Sequence, residues 1–116
     1  MTYVSAEAKA YKSECAWMAK AAGVRAPIPG RVCVRFWLYP QRPQDWQKRA
    51  RRDPEGWADT VRCLDLDNAQ KVLLDALKDV VFEDDSRVWR IEGERCEPDG
   101  EGRVVVVVEP MPKGGV

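Results

Sequence analysis

The spacing of apolar positions changes along the chain, and each change marks an element. From Ser5 to Ala22, the residues Tyr11, Cys15, Met18 and Ala22 recur at helical spacing, with Ser5 as a candidate N-cap and Gly23 as a candidate stop. This predicts a helix that leaves Lys9, Lys12 and Lys20 mainly on its other faces. Beyond a Pro/Gly connector, Arg31 to Tyr39 alternates: Val32, Val34, Phe36 and Leu38 on one side, Cys33, Arg35, Trp37 and Tyr39 on the other. Period two with both sides partly apolar predicts a strand inside a sheet. Pro40 to Thr60 is irregular, with Pro43 and Pro54 bracketing a short helix. Val61 to Leu64 reads as a short strand. From Asn68 to about Val80 a helix is expected, its core face made by Val72, Leu73, Ala76, Leu77 and Val80. Arg87 to Arg95 and Gly102 to Glu109 predict an antiparallel hairpin around the turn-rich loop Cys96 to Glu101. The tail from Pro110 to Gly115 reads as loose.

These elements add up to one α+β domain over residues 1–116: a small mixed sheet with a C-terminal antiparallel hairpin, packed against two main helices. A chain of 116 residues has room for one modest core. No apolar run approaches the roughly 20 residues that span a bilayer, and the N-terminus lacks a signal-peptide core. No membrane partner and a cytoplasmic location are expected.

Charge changes the picture. The net charge is zero, yet residues 1–52 carry a surplus of +8 and residues 53–116 a deficit of −8. So uneven a chain can offer one basic face and one acidic site. Arg42, Lys48, Arg49, Arg51 and Arg52 are interleaved with Trp46 and Trp57, a composition suited to gripping phosphates and stacking on distorted bases. A charged surface loop is the alternative. The chain has no histidine, which excludes Ser-His-Asp and Cys-His catalysis. Cys15, Cys33, Cys63 and Cys96 are too scattered for zinc spacing and read as free, interior thiols.

The remaining chemistry lies in Asp65-Leu66-Asp67-Asn68-Ala69-Gln70-Lys71, then Asp75-Ala76-Leu77, then Asp84-Asp85. Asp65 and Asp67 share a face if they close a strand. Lys71 follows Asp67 by one helical turn. Asp84 or Asp85, delivered from the turn after the helix, would complete an acidic cluster able to hold Mg²⁺ beside a phosphodiester. The same residues have a plainer reading: Asp67 as helix cap, Lys71 paired with Asp67 or Asp75, and Asp84-Asp85 as turn residues. Chemistry alone leaves both open.

The motif D-x-D-N-x-x-K-x-x-x-D-A-L, from Asp65 through Leu77, with the pair Asp84-Asp85 after it, resembles the RusA family of Holliday-junction resolvases, common in prophages. The resemblance extends to Val4 through Tyr11, to the strand after Gly30 and to the closing hairpin. It implies a small α+β homodimer that binds four-way DNA junctions and makes paired, symmetric nicks with Mg²⁺ or Mn²⁺, in recombination and repair. It implies Asp65, Asp67 and Asp85 as metal-binding catalytic residues, Lys71 as the essential lysine, and Asp75 and Asp84 as supporting residues. Members of the family usually begin with an extra strand and a Pro-Pro loop, which this chain, starting Met1-Thr2-Tyr3, is expected to lack. The segment from Gln41 to Cys63 looks longer than the family's link, and Ala69 replaces a common aliphatic residue. A junction binder of the same fold with weakened or lost catalysis, and a structural module with capping aspartates, are the competing readings.

Overall fold

The alternating stretch Val32–Tyr39 becomes the strand around which the sheet is built. The structure, a computed structural model, describes residues 4–8 and 26–112. Four strands, β1 (Val4–Ala8), β2 (Val32–Tyr39), β3 (Val88–Arg95) and β4 (Arg103–Pro110), lie in the order β1-β4-β2-β3. β4 pairs antiparallel with both β1 and β2, while β3 pairs parallel with β2. The sheet is mixed and the fold is α+β, as the pattern predicts.

Two expectations are corrected. The helix expected from Ser5 does not begin there, because Val4–Ala8 is a strand running beside Val104–Val108. A five-residue stretch rich in Ala and Glu has helical propensity, but a ready partner strand overrides a preference worth only tenths of a kcal/mol per residue. The rest of that expected helix, with Tyr11, Cys15, Met18 and Ala22, lies outside the described residues. Likewise, β3 and β4 do not form a hairpin, because β2 lies between them. The link from Cys96 to Gly102 crosses the end of β2 and is tied down there. Cys96 donates its N–H to Leu38 O at 2.8 Å, Arg42 donates to Gly100 O at 2.8 Å, and Gly102 donates to the Gln41 side chain at 2.9 Å. Spanning two strand spacings takes about 10 Å, within reach of that link, and β2 with apolar residues on both faces gains from a partner on each edge.

The core lies on one face of the sheet. Val32, Val34, Phe36 and Leu38 of β2 and Val104, Val106 and Val108 of β4 are buried in register against each other. The connection from β2 to β3 crosses over through two helices, α1 (Trp46–Arg52) and α2 (Leu66–Leu77). α2 covers the core with Ala69, Leu73 and Leu77, joined by Val81 and Phe82. α1 buries none of its residues. Val61 to Leu64 is irregular rather than a strand, though Val61 is buried.

α2 ends at Leu77, three residues before the expected Val80. Asp79 adopts φ 65° and its N–H is donated to Phe82 O at 2.7 Å, which turns the chain back sharply. A left-handed Asp is tolerated where most residues are not. Gly93 answers a different need: it sits opposite Phe36 in the β2–β3 ladder, and a Cβ there would collide with the Phe36 ring.

Candidate functional site

Asp65, not Asp67, caps α2. Its backbone is extended (φ −69°, ψ 158°), and its Oδ1 accepts the Asn68 N–H at 2.9 Å while Oδ2 accepts the Asn68 side-chain amide at 3.3 Å. The helix therefore starts two residues earlier than periodicity suggested, and Asp67 stands inside its first turn. Both carboxylates sit where the partial positive charge of the helix N-terminus favours them. Asp67 lies 3.7 Å from Lys71 Nζ, and both side chains are more than two-thirds exposed. With the core stripe at Ala69, Leu73 and Leu77, the residues Asp67, Lys71 and Asp75 form an exposed stripe on the opposite side of α2.

Asp84 and Asp85 follow the helix. Asp84 caps the 3-10 turn Asp85–Arg87, its Oδ2 accepting the Ser86 hydroxyl at 2.8 Å, and its Oδ1 lies 3.7 Å from Lys78 Nζ. Ser86, through its hydroxyl and then its N–H, with a smaller contribution from Lys78, holds the Asp84 carboxyl below its ordinary range. Asp85 is exposed, and its carboxylate makes no hydrogen bond or ion pair with another described residue. Ser86 was not singled out from sequence, although Asp-x-Ser is a recognisable side-chain turn pattern.

These two acidic groups do not meet. α2 lies between them, and twelve helical residues span about 18 Å. The C-terminal end is fixed by Val81 N–H donating to Leu77 O at 2.8 Å and by the Lys78–Asp84 contact. At the other end, Arg95 donates to Val61 O at 3.0 Å, so the finish of β3 adjoins the approach to α2 while its start, near Asp85, lies at the far side. Among the described residues no group of three or more His, Cys, Asp or Glu side chains is placed to hold a metal ion. Carboxylate oxygens on one Mg²⁺ stand within about 4 Å of each other, since each bond is near 2.1 Å. Asp65, Asp67 and Asp85 are not gathered into such a group among the described residues.

The basic segment divides in two. Arg42 lies over the Trp46 ring at 4.5 Å, and the Trp46 and Trp57 rings are 6.1 Å apart. Arg49 donates to Asp45 at 2.9 Å and to the Thr60 hydroxyl at 3.3 Å, and that hydroxyl donates to Trp57 O at 2.6 Å. Arg42 and Arg49 thus stitch the segment together. Lys48, Arg51 and Arg52 are exposed and pair with no described residue. An open cleft of about 440 Å³ is lined by Lys48 and Arg52 of this set, together with Asp45, Arg49, Asp53, Trp57 and Thr60. Thr60 and Val61 connect this segment in sequence to Asp65 and the start of α2.

The described cysteines offer no nucleophile. Cys33 is buried, Cys63 and Cys96 are half-buried, and all three are unpaired. Burial raises each thiol above its ordinary value, which keeps them protonated and inert.

Among the described residues no helix is long and apolar enough to cross a membrane. No curated protein matches the chain. One family profile does, described as Endodeoxyribonuclease RusA, over residues 1–109.

Proposed function

The chain belongs to the RusA endodeoxyribonuclease family, a nuclease family that resolves Holliday junctions, and on that premise we propose that it is a cytoplasmic, Mg²⁺-dependent endonuclease that cuts four-way DNA junctions by paired symmetric nicks as a homodimer. Mn²⁺ serves in place of Mg²⁺ in this reading. The observation that carries it is the family match over residues 1–109, which includes every residue of the acidic and basic constellation. The exposure of Asp65, Asp67 and Lys71, and of the uncommitted cations of α1, supports it.

In this reading Lys48, Arg51 and Arg52 hold the phosphate backbone, with Arg42 and Arg49 fixing the segment that carries them. Backbone contacts position the junction without reading its sequence. Asp65, Asp67 and Asp85 are the catalytic and metal-binding carboxylates. Lys71 offsets charge on the phosphate. Asp75 supports the exposed stripe and Asp84 holds the turn that presents Asp85. Hydrolysis forms one P–O bond from water and breaks another, and the departing oxygen gains a proton. A bound divalent cation supplies electrostatic stabilisation of that charge.

A non-cleaving junction binder is the second reading, favoured by the separation of the acidic groups within one chain. One experiment decides between them. Purified protein is incubated with a synthetic four-way junction and with matched duplex, in Mg²⁺ and in EDTA. Symmetric nicks confined to the junction and to Mg²⁺ are expected. Junction binding without cleavage at any protein concentration would establish the second reading instead.

A further inference from the structure

We propose that the cleft between α1 and the Trp57 ring binds one unpaired nucleotide of a DNA strand, its base against Trp57 and its phosphate between Lys48 and Arg52. The inference rests on the nuclease reading above only for the choice of DNA as the ligand.

The walls of the cleft come from two short elements. Asp45, Lys48, Arg49 and Arg52 recur at helical spacing, so one face of α1 makes one wall. The 3-10 turn Trp57–Thr60 makes the other. Asp53 fixes the bend between them: its carbonyl accepts the Trp57 N–H at 3.1 Å, and its Oδ1 accepts the Gly56 N–H at 3.1 Å. Arg49 ties the walls together, donating to Asp45 on one and to the Thr60 hydroxyl on the other. The cleft is thus shaped by the chain's own hydrogen bonds before any ligand arrives, which limits the ordering that binding must impose.

Its charge suits one phosphodiester. The lining carries three cations, Lys48, Arg49 and Arg52, against two carboxylates, Asp45 and Asp53, a surplus of one positive charge. Arg49 is paired with Asp45, and Asp53 is engaged in the bend. Lys48 and Arg52 are left exposed, with no partner among the described residues.

Its aromatic wall suits a base. The Trp57 ring leans on Trp46 at 6.1 Å, and Arg42 lies over Trp46 at 4.5 Å. Arg42, Trp46 and Trp57 form a series that ends at the cleft, and a base set against Trp57 continues it. A bare phosphate would engage the cations and leave this wall unused. A volume of about 440 Å³ falls within the range of small-ligand sites, about 300–1,000 Å³. In uniform duplex each base is already stacked between neighbours, so only an unpaired or swung-out base offers its face. Swinging a base out costs least where pairing is already disturbed. The cleft therefore favours branch points, gaps and flaps over continuous duplex.

Binding in EDTA tests the proposal without cleavage. Fluorescein-labelled oligo-dT and an abasic strand of the same length are compared by anisotropy. The wild type should prefer oligo-dT by about tenfold, the scale of one stacked base. Trp57→Phe should keep most of that preference. Trp57→Ala should lose it while binding the abasic strand as the wild type does. Lys48→Ala and Arg52→Ala should each weaken both probes alike and reduce the salt slope by about 0.7. Equal affinity of the wild type for the two probes overturns the proposal, as does a preference that survives in Trp57→Ala.

Trp57 also braces Trp46, so a second measurement leaves the segment unaltered. Oligo-dT carrying one 2-aminopurine is titrated with wild type and with Trp89→Ala, which removes the other well-exposed indole among the described residues. Quenching of the 2-aminopurine emission by both proteins is expected. Its absence in the wild type, or its loss in Trp89→Ala, overturns the assignment to this cleft. A base preference in a protein that leaves junctions uncut in Mg²⁺ would retain the cleft and remove the nuclease reading; cleavage without a base preference would do the reverse.

Discussion

The Asp65 carboxylate accepts the Asn68 N–H at 2.9 Å, so the first acidic residue of the motif is also the cap that starts α2. One side chain therefore carries a structural and a chemical duty, and the two can be separated by substitution.

Asparagine caps helices about as well as aspartate, whereas alanine does not. Asp65→Ala should lower stability to urea by about 1 kcal/mol, and Asp65→Asn should stay within about 0.5 kcal/mol of the wild type. Junction cleavage should be lost in both. Equal stability of the two variants would show that the cap contributes nothing.

The depressed Asp84 carboxyl sets a direction for pH. Its folded-state value lies below its unfolded one because Ser86 donates to it, with Lys78 nearby. The stability it contributes is present above the ordinary carboxylate range, near 3.9, and is lost as pH falls through the depressed folded value. Ser86→Ala should move the Asp84 titration, followed by NMR, upward toward the ordinary value. The acid end of the stability profile should move upward with it.

Uncommitted and committed cations should behave differently. Arg51→Ala, at a site without a partner among the described residues, should reduce the slope of log affinity for junction DNA against log salt by about 0.9. Its thermal stability should not change. Arg49→Ala should weaken the segment itself, by up to about 1 kcal/mol, because it loses Asp45 and Thr60 together. Salt-dependent binding and thermal melts on the same preparations distinguish the two.

Gly93→Ala should destabilise the sheet by about 1–3 kcal/mol through overpacking on Phe36. Adding Phe36→Leu should return part of that loss, since the colliding ring is gone. Additive losses in the double variant would place the cause elsewhere.

Much of this architecture is legible in the residues. Alternation over Val32–Tyr39 marked one central strand, because a face buried against the core leaves a period-two imprint, and the short unbroken valine run of β4 marked the other by its length. Val4–Ala8 was misread because five residues hold too little periodicity, and only a neighbouring strand decides their state. The hairpin failed because closeness in sequence is a weak guide to pairing when a third strand also seeks an edge. At the site, residue types and spacing were readable, and the motif pointed to the family. Distance through space was not. Sixteen residues lie between Asp67 and Asp84, and whether such a stretch returns to its start or travels away depends on how α2 lies on the sheet.

β3 has a consequence for how the molecule meets its neighbours. It is one of the sheet's two edge strands, only Val88 and Ile91 are even partly sheltered, and Arg90, Glu92, Glu94 and Arg95 bristle from it. Such a border discourages another chain from zipping on as an additional strand. Along that border, any neighbour must be held through side chains and not through a shared backbone ladder.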